Sequence, residues 1–281
     1  MPGIRSLRLG TGRTGRTGRG GRGGWLARLW RPVALLLLCA LSLQLYFVAR
    51  IALMNWIAPQ STSFQRSEAW RLLTTQGHIA WRQEWVDDAR LSNHLKRAVI
   101  ASEDAGFAEH SGVEWDAIEQ AWEKNQRAEA AAARRNAQLE KRAQTQSQTQ
   151  LRPRPQAVPK VVGGSTITQQ LAKNLFLSGE RTVLRKAQEF LLTFALEGLL
   201  SKRRILEIYL NNVEWGEGVF GAQAAARHYW RVDAARLDAW QAARLAVMLP
   251  APKRFEKTPG SAYVSGRAGT IVARMGGVAL P

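Results

Sequence analysis

One cysteine, Cys39, occurs in 281 residues, which excludes an intramolecular disulfide and a cysteine-built zinc centre. The four histidines, His78, His94, His110 and His228, lack ligand spacing, which argues against a histidine metal cluster. GxxxxGK[ST] is absent, so a phosphate-binding loop finds no support. Acids are scarce too: 22 Asp+Glu face 40 Lys+Arg, a net charge of +18. What is present is apolar enough to fold, with 46% hydrophobic residues against wholesale disorder, and the length allows one large domain or two small ones.

Such a charge points to an anionic partner: nucleic acid, a lipid surface or a phosphorylated substrate. Its distribution narrows the choice. Residues 1–31 hold eight Arg and no acid, and residues 126–160 hold eight basic residues and two acids, so these segments carry 14 of the 18 excess charges. A globular nucleic-acid binder concentrates charge on its folded domain, so nucleic acid is not expected as a partner.

Residues 33–48 carry no charge, and the apolar run continues past Arg50 to Ile57. About 20 such residues span a bilayer core. Trp25 and Trp30 on one side and Trp56 on the other sit where interfacial aromatics belong. A cleaved signal peptide is the alternative, but the preceding basic region is long and no small-residue cleavage site follows closely. The expected organisation is a basic cytoplasmic tail at 1–31, a transmembrane anchor at 32–57 and an extracytoplasmic domain at 58–281. The Arg excess keeps the N-terminus cytoplasmic and makes the Gly/Arg tail a topology determinant and anionic-lipid contact.

Trp70, Trp81 and Trp85 in the approach segment 58–95 suggest core or membrane-edge packing more than a site. An apolar run at 93–101 leads into a polar turn. Ile118 and Trp122, at i and i+4, predict an amphipathic helix over 113–125. Residues 126–160 read as a flexible basic insertion, helical at most at its Ala-rich start. Ser165 or Thr166 caps a helix that runs through Leu177, and Thr182 caps one over about 183–200 whose apolar content predicts burial along most of its length. Further helices are expected at 202–212, 222–229 and 237–249. Strand signals are few, so the fold class is mainly α.

Several residues could carry chemistry. Glu103-Asp104, taken alone, is an ordinary cap-and-turn pair, although a half-buried carboxylate beside Phe107 could gain a raised pKa suited to general-base work. Glu189 has Arg185 at i−4 and Lys186 at i−3, which is either a solvated ion-pair face or the charged end of a cleft. Lys173 and Arg181 add cations that suit a polyanionic leaving group such as pyrophosphate. Ser165, Thr166, Thr168, Gln169 and Gln170 offer five neutral hydrogen-bonders of the kind a sugar or phosphate site needs, or simply a capped polar helix.

From about Leu91 onward, excluding 126–160, the chain resembles the biosynthetic peptidoglycan glycosyltransferases of the penicillin-binding-protein type. The matching blocks, in order, are ASEDAGFAEHSG, GGSTITQQLAKN, RKAQE, KRRILEIYLN with GEGVFGAQAAARHYW, and LAVMLPAPKRF. With nothing resembling a transpeptidase following, the monofunctional form is expected. The resemblance implies a lysozyme-like, mainly α (α+β) domain with a small membrane-embedded jaw, at the bacterial inner membrane with its catalytic domain in the periplasm.

It further implies polymerisation of lipid II into β-1,4-linked glycan, with inversion and release of undecaprenyl pyrophosphate. Glu103 would be the general base. Glu189 would attend the donor pyrophosphate directly or through Mg²⁺ or another divalent cation. Asp104 and Phe107 would orient the base and shape the cleft, with Ser165, Gln169, Gln170, Lys173, Arg181, Arg185 and Lys186 as substrate contacts. Partners would be lipid II, the lipid-linked glycan chain, membrane lipid and cell-wall synthesis proteins. Pyrophosphate departs as an anion, so cations replace the acid that a glycosidase needs. Gly106 stands where the family usually has a cation. Two other readings stay open: a lytic transglycosylase or lysozyme-like glycan-cleaving enzyme, which leaves the cation cluster unexplained, and a non-catalytic scaffold, against which both glutamates speak.

Overall fold

The computed structural model describes residues 24–145, 163–180 and 182–281. Contacts divide the chain after Phe47 into two units. A helix, α1 (Gly24–Leu53), runs through the first unit into the second, and its stretch Trp30–Leu53 is long and apolar enough to cross a membrane. Its leucines from Leu35 to Leu45 are exposed, which is what a lipid-facing helix requires. Arg31 and Arg50 are the charged residues of that stretch and lie near its ends.

The second unit is mainly helical. After α2 (Ser63–Gln76) come a short strand β1 (Arg82–Gln83), α3 (Asn93–Glu103), α4 (Trp115–Thr145), α5 (Ile167–Phe176), α6 (Val183–Leu199) and α7 (Lys202–Asn212). Strands β2 (Glu214–Gly216) and β3 (Val219–Phe220) then lead to α8 (Ala222–Trp230), α9 (Ala239–Met248), α10 (Pro252–Phe255) and α11 (Ala262–Met275). The sheet order is β1-β3-β2, with β1 parallel and β2 antiparallel to β3.

Two helical groups form the core. In one, α3 packs against α9 and α11, with Leu95, Ala98, Leu245 and Ile271 buried; in the other, α5 packs against α2, α6 and α7. Helix α7 is buried from Ile205 to Asn212. Its polar end is satisfied inside: Asn211 Oδ1 accepts from Val86 N at 2.9 Å and Asn211 Nδ2 donates to Val86 O at 2.8 Å. Arg204 Nε donates to Met54 O at 2.7 Å and Asn55 Nδ2 to Leu199 O at 3.0 Å, tying the segment after the membrane stretch to α6 and α7.

Three sequence expectations need revision. Helix α6 buries Glu189, Leu192, Thr193 and Leu196 but leaves Val183, Leu184, Leu191 and Phe194 exposed, so it is half buried rather than enclosed. Helix α4 continues unbroken to Thr145, and its Trp122 is 66% exposed instead of packing inward. Alanine-rich sequence sustains the helix past the expected end at 125; the part of the insertion from 146 lies outside the described residues. Helix α2 carries no strong apolar periodicity, whereas α11 does, burying Val264, Ala268, Ile271 and Met275 at three- and four-residue steps; neither is among the expected helices.

Gly218 holds the β2–β3 turn at φ +70°, and a Cβ there would stand 2.0 Å from Ala80 O. Both backbone conformation and space require glycine. Gly218→Ala is expected to destabilise the second unit by more than about 2 kcal/mol, read as a lowered thermal midpoint; an unchanged midpoint would contradict this account of the turn.

Candidate active site

The site begins where α3 ends. Asp104 caps α3, and its carboxylate is fully enclosed. Its Oδ2 accepts from Ile167 N at 2.9 Å, one of the donors left open at the start of α5, and its Oδ1 accepts from His110 Nε2 at 2.7 Å. Gly112 N donates to His110 Nδ1 at 3.0 Å, which makes that nitrogen the acceptor and leaves the ring proton on Nε2, facing Asp104. Thr166 closes the arrangement: it caps α5 in a capping box with Gln169, and its hydroxyl donates to Gly112 O at 2.6 Å.

Glu103 is thereby held beside α5. Its Oε2 accepts from Gln170 Nε2 at 3.0 Å, and Gln170 Oε1 accepts from Tyr209 OH at 2.8 Å. The tyrosine fixes which way the amide faces, so the amide nitrogen is turned to the carboxylate. Burial raises the Glu103 pKa above the ordinary carboxylate value and Asp104 adds to it, against hydrogen bonds from Gln170 and Ser102. Tyr209 is pushed up by its own burial and by both acids.

Two cavities meet here. The smaller, about 180 Å³, is lined by Glu103, Asp104, Glu114, Lys124, Ser165 and Thr166 among others. The larger, about 570 Å³, is lined by Ser165, Gln169, Gln170, Lys173, Arg185, Lys186 and Glu189 on one side and by Glu68, Glu214 and Pro252 on the other. Ser165 borders both.

Inside the larger cavity Glu189 is 3% exposed. Its Oε2 accepts from Arg185 Nη1 at 2.9 Å and its Oε1 from Lys186 Nζ. Arg185 Nε and Gln169 Nε2 are buried donors without a partner. A cavity with unused donors suits a ligand rich in acceptor oxygens.

A divalent cation at Glu189 does not fit this donor set, because both carboxylate oxygens are occupied by cationic side chains that already supply the positive charge. Among the described residues the group with close metal-type donor atoms is Asp104, His110 and Glu114, and its histidine nitrogens are both engaged as described above.

The structure thus brings together Glu103, Asp104, Ser165, Gln169, Gln170, Lys173, Arg185, Lys186 and Glu189. Phe107 is different: it is fully buried, with Lys202 Nζ 4.6 Å over its ring, and it lines neither cavity. Arg181 lies outside the described residues. At Gly106 an added Cβ would approach only His110 and Glu114, at ordinary distances, so a side chain would fit; Lys124 of α4 lines the smaller cavity together with Glu114.

Sequence reasoning missed the opposite wall. Glu68 of α2 holds Lys253 and Arg71, and Arg71 also holds Glu217 at 2.6 Å. Glu214 is left with a distant share of Lys253 at 3.5 Å. Arg71 and Glu217 are 146 residues apart and Glu68 and Lys253 are 185 apart, so no local spacing reveals these pairs.

The chain was compared with known proteins. The transglycosylase family model matches residues 71–154 and 150–276. The chain belongs to the transglycosylase family. A biosynthetic peptidoglycan transglycosylase of Burkholderia thailandensis is 52% identical over 241 residues, covering 86% of this chain and 83% of the relative. That of Burkholderia pseudomallei is 51% identical with the same coverage, and that of Paraburkholderia phytofirmans is 47% identical over 242 residues, covering 86% and 88%. This transglycosylase is accordingly an enzyme of glycosyl transfer, mainly helical, with one apolar N-terminal helix suited to anchoring.

Burial pushes Glu214 up to about 7 from 4.5, with Lys253 opposing and Glu68 adding to the rise. Between those values the folded protein keeps a proton that the unfolded chain releases, so stability falls as pH rises through the window and levels off above it. Glu214→Gln is expected to remove that slope and to be more stable than the wild type at pH 8, by up to about 3 kcal/mol. Thermal unfolding of both proteins at pH 5 and pH 8 checks this; parallel curves would refute it.

Proposed function

We propose that this transglycosylase polymerises lipid II into β-1,4-linked glycan strands, with Glu103 as the general base. Its carboxylate takes the proton of the acceptor's 4-hydroxyl as that oxygen attacks the anomeric carbon of the lipid-linked chain. The configuration inverts, and undecaprenyl pyrophosphate leaves into the larger cavity. Lys173, Arg185 and Lys186 offset the charge that develops on the leaving group. No step requires a metal ion.

The observation that carries this reading is Glu103 in the wall of the smaller cavity, half-buried, with a raised pKa and aimed by the amide of Gln170, which lines the larger one. A base whose pKa approaches working pH is an effective proton acceptor. The similarity to transglycosylases named for peptidoglycan biosynthesis supports the substrate class. Asp104 serves as the positioning residue, since it fixes α3 against the start of α5.

Enzyme and substrate share one surface in this account. The protein is anchored in the bacterial inner membrane by α1, N-terminus inside, with the catalytic domain outside. The bare apolar face of α6 (Val183, Leu184, Leu191, Phe194) rests against lipid. A polyprenyl tail then needs no extraction from the bilayer.

The test is polymerisation of labelled lipid II by the full-length protein in detergent, beside Glu103→Gln. Wild type is expected to make polymer and the variant to be slower by about 100- to 10,000-fold. Equal polymer from both would refute the base; cleavage of finished peptidoglycan with no polymer would favour the lytic enzyme. The rate should also fall as pH drops, with a midpoint above that of an ordinary carboxylate, since Glu103 must be ionised to act. A midpoint at or below the ordinary value would contradict that assignment.

A further inference from the structure

Helix α4 does more than wall the smaller cavity. Gln120 and Lys124 line that cavity together with Glu103. Farther along the helix an open hollow of about 450 Å³ is lined by Arg127, Ala130, Ala131, Arg134, Arg135 and Gln138. Gln120, Lys124, Arg127, Ala131, Arg134 and Gln138 follow each other at steps of three or four, so they form one stripe along the helix. At 1.5 Å per residue the stripe runs about 27 Å outward from the Glu103 cavity.

Most of the charge on this stripe is unpaired among the described residues. Arg127 pairs with Glu123 at 2.8 Å but is 77% exposed, whereas Lys124, Arg134 and Arg135 are exposed and form no ion pair among the described residues. Such a run of exposed cations suits an anionic occupant, and the geometry of the same helix selects which. Trp115 and Trp122 project about 150° round from the stripe. That aromatic side faces α6: Trp115 stacks on Phe190 at 6.1 Å, next to the bare apolar face of α6. A bilayer would take the tryptophan side, which turns the basic stripe away from it. The stripe instead continues the wall of the cavity in which the acceptor sugar must present its hydroxyl to Glu103.

We propose that Lys124, Arg127, Arg134 and Arg135 form a subsite for the carboxylate-bearing peptide attached to the acceptor saccharide. The inference rests on the reading of the site as a lipid II polymerase. An acidic peptide leaving the Glu103 cavity along α4 meets three or four cations in succession, each worth a modest surface interaction. The subsite then acts on acceptor affinity, and through charge, so its effect is screened by salt.

Two measurements test it on the full-length protein in detergent. The first compares KM for lipid II bearing free peptide carboxylates with KM for lipid II whose carboxylates are amidated. Wild type is expected to show a KM lower by about 3- to 10-fold for the free acid, with the advantage shrinking at high salt. In the triple variant Arg127→Gln, Arg134→Gln, Arg135→Gln the two KM values should converge; glutamine keeps the helix propensity. Equal KM values in the wild type, or an advantage preserved in the variant, would overturn the proposal.

The second measures binding of the labelled, water-soluble peptide by fluorescence anisotropy, which needs no polymerisation. Weaker binding to the triple variant is expected. Should the wild type make no polymer while peptide binding still depends on the three arginines, the polymerase reading fails and the subsite stands. Should polymer form without any peptide discrimination, the subsite fails alone. Loss of binding to phosphatidylglycerol vesicles in the variant, with no peptide effect, would assign the stripe to the membrane and overturn it as well.

Discussion

Everything at this site depends on one buried carboxylate. Asp104 has no exposed side-chain surface, and its two oxygens join three pieces of chain: the end of α3, the first turn of α5 and the His110 loop. Without it, Ile167 N–H and His110 N–H would lose their acceptor in the interior, at about 1–3 kcal/mol each. The greater loss would be geometric. Glu103 is the preceding residue, and its distance from Gln170 is set by how α3 meets α5. The Glu103 carboxylate, the base proposed above, can therefore be desolvated because its neighbour satisfies the backbone around it.

The two walls of the larger cavity solve opposite electrostatic problems. On the α6 side, Arg185 and Lys186 outnumber Glu189, and two buried donors stay unused, an arrangement that favours an incoming diphosphate. On the α2 side, three carboxylates (Glu68, Glu214, Glu217) share Lys253 and Arg71, so the most enclosed acid, Glu214, is left short of a cation. A ligand lying between them meets positive charge at one face and a carboxyl that titrates near neutrality at the other.

Local signals were legible wherever the physics is local. The Thr166 capping box, the Thr182 cap and the span of α7 follow from neighbouring residues alone, and the ordered motif blocks identified the family. Burial was harder. An apolar helix such as α6 reads as a core helix when water is assumed to be the solvent, yet Val183 and Leu184 face outward, as they would toward lipid. Phe107 sits beside two acids in sequence but turns into the core under Lys202. The Glu68–Lys253 pair joins residues 185 apart, and only the fold places them on one wall.

The most direct test of this account is the ionisation of Glu103 itself, followed by carboxyl carbon NMR on glutamate-labelled protein, with Glu103→Gln to assign the resonance. The account predicts a midpoint above the ordinary 4.5, falling when Asp104 is neutralised, because burial dominates and the neighbouring acid adds to it. A midpoint at or below 4.5 would mean that Glu103 is a solvated carboxylate, and the general base would have to be sought elsewhere in the cleft.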